Sequence, residues 1–203
     1  SISTYLANNN RIENAISMAK KIRYVSERDR SYFEVARVLV KTNSFSRAMD
    51  ISSLIMDSTL RFRINNSVIE SYLTQGLIDE AVLISYSITD SSLKAKALKN
   101  IITYYSLNKN YLLAYEYLES ISGVTEQQEG IGEVVLGLIY NGEYEEADNL
   151  MSEIVNPSVM NNVLSRAAIL VAESGKFEKS TDLVNKIEDS VIFEDTYVKL
   201  GAI

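Results

Sequence analysis

One spacing, 33 residues, recurs along almost the whole chain and leaves few folds open to it. Stepping from Ala15 it meets Ala48, Ala81, Ala114, Ala147 and Ser180; from Ile22 it meets Ile55, Ile88, Ile121, Ile154 and Ile187. Three further columns are apolar throughout. They read Ile12, Phe45, Ile78, Tyr111, Tyr144, Phe177; Met18, Ile51, Ile84, Tyr117, Leu150, Leu183; and Leu6, Leu39, Tyr72, Tyr105, Leu138, Val171. No insertion or deletion breaks them. Within a repeat the spacing is helical. Phe45, Ala48, Ile51 and Ile55 share one helix face, and Tyr32, Val35, Ala36 and Leu39 form the apolar stripe of another helix upstream.

The links between these stripes carry turn chemistry. One column reads Asn10, Asn43, Gly76, Lys109, Gly142, Gly175. Asn and Gly enter the left-handed conformation cheaply, so this is a helix C-terminal cap, with Lys109 its one misfit. A second column supplies Asp57, Asp90, Asn156 and Asp189 as N-caps for the next helix, and Pro157 follows Asn156 where a first-turn proline costs nothing. Where that column holds Gly123, Thr125 and Gln128 have the spacing of a capping box. Each repeat is therefore helix A, turn, helix B, turn. Complete repeats span 25–57, 58–90, 91–123, 124–156 and 157–189; residues 1–24 form a partial repeat and 190–203 a final helix. A lone helix pair cannot bury its stripe, so the expectation is a single all-α array, 1–203, with about 12–13 stacked helices and no domain boundary.

Composition removes whole classes of chemistry. With no Cys and no His, the chain has no disulfide framework, thiol nucleophile, Ser-His-Asp triad or zinc site. One Pro and eight Gly are too few for the turns of an all-β protein. No apolar run reaches the roughly 18 residues of a membrane span. The start shows no basic-then-apolar leader pattern, which favours the cytoplasm, a removed leader pointing instead to the cell envelope. No Gly-rich phosphate loop or calcium loop occurs, and no catalytic residue, cofactor or metal is expected.

The run Gly142-Glu143-Tyr144-Glu145-Glu146-Ala147, echoed by Gly175-Lys176-Phe177 and by Gly76-Leu77-Ile78-Asp79-Glu80-Ala81, resembles the centre of a tetratricopeptide repeat. The Tyr72 and Tyr105 column is similar to that family's helix A tyrosine. The period departs from the family's, which is about 34. Ile69, Ile102 and Val135 stand where the family has a small residue, and the Ile22–Ile187 column stands where it has Ala. The resemblance implies a right-handed α-solenoid of antiparallel helix pairs, binding protein segments on a concave face lined by helix A.

On that face the partner-binding candidates are Arg30, Phe33, Arg37, Lys41, Arg63, Lys96 and Lys99, with Val40 among them, and in the late repeats Leu136 and Tyr140. Ile139 and Ile169 accompany the last two. Arg28, Arg61 and Lys94 add a second basic column. Charge divides the same way. Residues 1–101 hold 14 Lys+Arg and 10 Asp+Glu, whereas 102–203 hold 6 and 17; from Tyr111 to Ser165 there are ten acids and no Lys or Arg. Such a split either keeps the array dissolved or steers an acidic protein or peptide to the early repeats, with head-to-tail self-association as a further option. Tyr105, Tyr111 and Tyr117 fall in core columns and read as packing residues. Glu143, Glu145 and Glu146 sit at the start of a helix B, where acids favour the dipole, and do not read as a catalytic pair.

The function expected is a protein-binding scaffold that does no chemistry. An alternative is a helical-repeat module of a larger enzyme or envelope protein, motivated by Tyr197, Val198, Leu200 and Ile203 on a last helix with nothing to pack on. An RNA-binding repeat ranks last, because a net charge of −7 opposes phosphate binding, and no nucleic-acid partner is expected.

Overall fold

The computed structural model describes residues 2–9 and 11–203; Ser1 and the expected cap residue Asn10 lie outside them. Among the described residues there are thirteen helices and no strand. Five long helices have 17 residues each: α3 (Val25–Lys41), α5 (Ser58–Thr74), α7 (Ser91–Leu107), α9 (Val124–Tyr140) and α11 (Pro157–Glu173). Six shorter ones alternate with them: α2 (Ile12–Lys20), α4 (Phe45–Ser52), α6 (Ile78–Ser87), α8 (Tyr111–Glu119), α10 (Tyr144–Met151) and α12 (Phe177–Val184). The chain opens on α1 (Ile2–Asn8) and closes on α13 (Ser190–Leu200). From α2 onward, every helix starts 33 residues after its counterpart in the preceding repeat.

The turn column explains this regularity. Asn43, Gly76, Lys109, Gly142 and Gly175 all have positive φ, from 56° to 82°. The next residue's N–H reaches back five residues in each turn, as in Ser44 to Leu39, Leu77 to Tyr72, Asn110 to Tyr105, Glu143 to Leu138 and Lys176 to Val171. These are Schellman closures, and their acceptors are the column that begins at Leu6. Lys109 adopts the conformation with φ 59° despite its side chain. Asp57, Asp90, Asn156 and Asp189 each accept backbone N–H bonds as N-caps.

The capping box expected at Thr125 and Gln128 does not form. Gly123 is the N-cap and has no side chain to offer, while Gln128 is buried and accepts from Asn156 N–H at 2.7 Å. Gln128 belongs instead to a clamp that recurs by column. Asp29, also buried, accepts from Met56 and Asp57 N–H at 3.0 and 2.8 Å, and Asn161 accepts from Glu188 N–H at 2.9 Å. Each holds the B-to-A link of its own repeat against its own helix A, satisfying backbone groups that neither helix can.

The helices form two compact units, Ser1–Ile88 and Thr89–Ile203. In the first, α1, α3 and α5 pack side by side, with α2 laid on α1 and α3, α4 on α3 and α5, and α6 on α5. In the second, α7, α9, α11 and α13 form the corresponding row, covered by α8, α10 and α12. Within each unit the long helices touch their sequential neighbours, and the residues of one column, Val35 and Val68 in the first unit and Ile101, Val134 and Ala167 in the second, are fully buried. Ala15, Ala48, Ala81, Ala114, Ala147 and Ser180 are 2% exposed or less, at the crossing of short helix on long. Ser180 substitutes for Ala by donating its hydroxyl to Ala168 C=O at 2.8 Å. Ile69, Ile102 and Val135, bulky where the resembled family is small, are also buried completely.

Phe45, Tyr111 and Tyr144, in the column that begins at Ile12, are each met by a side chain of the following repeat. Tyr72 packs edge-on against Phe45 at 5.0 Å, Asn141 lies 3.1 Å from the Tyr111 hydroxyl, and Lys176 and Lys179 stand 4.3 and 4.2 Å from the Tyr144 ring centre. Phe177 has no such cover and is 60% exposed.

Candidate functional site

The long helices place the expected binding residues, and the two units treat them differently. In the first unit, residues spaced three, four and seven apart on α3 put Phe33, Arg37, Val40 and Lys41 on one side, facing α5. Phe62 and Arg63 of α5 complete a groove of about 380 Å³. Phe33 is buried, and the Arg63 guanidinium lies 4.7 Å from its ring centre, a cation–π contact that presets the arginine without neutralising it. Arg37 pairs with Glu34 of its own helix at 2.6 Å, an exposed pair that contributes little and is easily exchanged. Glu70 also borders the groove and accepts from the Asn66 amide at 2.7 Å. Among the described residues Lys41 and Arg63 form no ion pair. Arg30 is exposed one turn earlier on α3, in a separate hollow with Glu27 and Glu34.

The second unit pairs several of its cations internally. Lys99 of α7 is half-buried and paired with Glu129 of α9. Arg166 of α11 makes a two-pronged contact with Glu133 of α9 at 2.6 and 2.9 Å, and the Thr103 hydroxyl donates to the same carboxylate at 3.0 Å. The hydrogen bond to Glu133 holds the Arg166 guanidinium above its ordinary value despite partial burial. The hollow these residues border, about 250 Å³, thus presents compensated charge. Lys96 is exposed on α7, while Tyr140, at 65% exposure, ends α9 in water. Leu136 is 5% exposed and Ile139 is buried with it, so both belong to the core and leave no surface for a partner.

Five expected residues, Phe33, Arg37, Val40, Lys41 and Arg63, therefore come together, Arg30 lies near them, and Lys96 and Lys99 belong to the other unit. Phe62 was not anticipated. Its signal is positional, since it occupies the column in which Asp29, Gln128 and Asn161 clamp a link, and an aromatic there has no link to hold. Arg166 was missed because it lies one residue past the stretch without cations. Among the described residues no group of His, Cys, Asp or Glu has the arrangement to hold a metal, and no helix is long and apolar enough to cross a membrane.

The molecule is an all-helical protein built of helix pairs that recur about every 33 residues, as a helical repeat does. No protein-family model, curated protein or solved structure matches it.

Proposed function

We propose that this protein is a non-enzymatic scaffold whose helix pairs stack within each unit in the manner of a tetratricopeptide-like α-solenoid, holding a segment of a partner protein against its long helices. The observation that supports this most directly is the α3–α5 groove, where an apolar floor of Phe33, Val40 and Phe62 lies beside Lys41 and Arg63, which among the described residues form no ion pair. Such a surface is poor for a free protein and good for a complex. A partner supplying carboxylates gains charge-assisted hydrogen bonds, and one supplying an apolar side chain removes the floor from water. The second unit, where Lys99, Lys109 and Arg166 are paired with glutamates of the same unit, serves as frame.

The test is affinity capture from the source cell with the wild-type chain and with R37E/R63E, after circular dichroism and melting show the two equally folded. Proteins recovered by the wild type should be lost or reduced at least roughly tenfold with the variant, the effect of replacing attraction by repulsion at two positions. Equal recovery of every partner would remove the groove from the account.

A further inference from the structure

The α3–α5 groove calls for a surface that carries carboxylates beside bulky apolar side chains, and the second unit of the same chain presents one. The turns that open the short helices α8 and α10 meet. Lys109 in the turn before α8 pairs with Glu143 in the turn before α10 at 3.2 Å, and Asn141 lies 3.1 Å from the Tyr111 hydroxyl. Of the ten acids between 111 and 165, Glu129, Glu133, Glu143 and Asp148 are engaged by Lys99, Arg166, Lys109 and Lys179. Glu116 and Glu119 on α8 and Glu145 and Glu146 on α10 are exposed and, among the described residues, form no ion pair. Leu112 is 74% exposed on α8, and Tyr115, one turn further, is also exposed. Charge follows the division. Residues 1–88 hold 11 Lys+Arg and 9 Asp+Glu, against 9 and 18 in residues 89–203.

We infer that a second copy of this chain occupies the α3–α5 groove, its α8–α10 face bringing carboxylates to Arg37, Lys41 and Arg63 while Leu112 and Tyr115 cover Val40 and Phe62. The inference rests on the reading of that groove as a docking site. Groove and face are different surfaces, so the contact is heterologous: each bound molecule still offers one of each, and assembly grows with concentration. Because the contact joins opposite charges at an exposed rim, salt screens it.

Sedimentation of the full chain, from micromolar to near-millimolar protein, tests this at low salt and at roughly 0.5 M salt. The average mass should rise at least about twofold at low salt and return to that of the monomer at high salt. R37E/R63E and E145K/E146K should each remain monomeric alone. Mixed, they should form dimers that do not grow, because each variant retains the surface the other has lost. A wild-type chain that stays monomeric at low salt overturns the inference, and so does a mixture that fails to pair. A labelled acidic peptide with one central leucine, followed by anisotropy, reads the groove independently. If that peptide binds the wild type and not R37E/R63E while the wild-type chain stays monomeric, self-docking falls and the groove stands.

Discussion

Lys109 holds a backbone conformation in which a side chain costs roughly 1–2 kcal/mol, yet the turn it makes is the same as those built on Gly76, Gly142 and Gly175. K109G should therefore raise stability by about 1 kcal/mol in urea unfolding, the loss of an exposed ion pair with Glu143 offsetting only a fraction. G142A, at φ 82°, should cost a similar amount; no change in either variant would mean the turn relaxes freely. The turn position is legible in the chain, because four of the five described members of its column are Gly or Asn. Tyr111 shows what a column leaves out. Burial raises its hydroxyl above the ordinary value, Asn141 lowers it, and Glu143 and Glu146 raise it further. A raised native pKa makes a stabilising contribution that is complete below about pH 10 and is lost as pH rises through the native value. Y111F should accordingly flatten the alkaline fall of the melting temperature while leaving the neutral value nearly unchanged. An equally steep fall in the variant would assign the loss elsewhere.

At the scale of the element, α9 contains Gly130, Gly132 and Gly137, each weakening an isolated helix by about 0.5–1 kcal/mol. Close packing offsets this. A β-carbon on Gly137 would meet Ser106 of α7, at 2.9 Å from its carbonyl carbon; one on Gly130 would meet Leu118 and one on Gly132 would meet Val163 of α11. G137A should destabilise the fold by about 1–3 kcal/mol, against the small gain that helix propensity alone predicts. A stabilised variant would show that α7 and α9 can separate without cost. Helix existence and start are readable from caps and stripes, but this function of the glycines is not, since it depends on which residue of the neighbouring repeat lies opposite. Gln128 makes the same point. A local pattern suggested a capping box, and a backbone N–H 28 residues away took the side chain instead.

Across the whole molecule, the long helices with the most buried residues are α9 and α11, each with nine and each packed between two neighbouring helices. Amide exchange should be slowest in α9 and α11 and faster by at least about tenfold in α13, which packs mainly on α11 and exposes Val191, Tyr197 and Val198. Uniform rates would argue against packing between neighbouring long helices as the source of stability. Helix positions, left-handed caps and buried columns can all be read from the chain, because each depends on residues within one repeat and every repeat restates the rule. Which charges stay free cannot. Lys99 with Glu129, Lys109 with Glu143, and Glu133 with Arg166 pair at separations of 30, 34 and 33 residues. Whether such partners meet depends on how far one long helix is rotated and how closely it approaches the next. Those quantities are set by packing volumes on both helices together, and so the basic stripe that appears continuous in the columns is compensated at Lys99 and left open at Lys41 and Arg63.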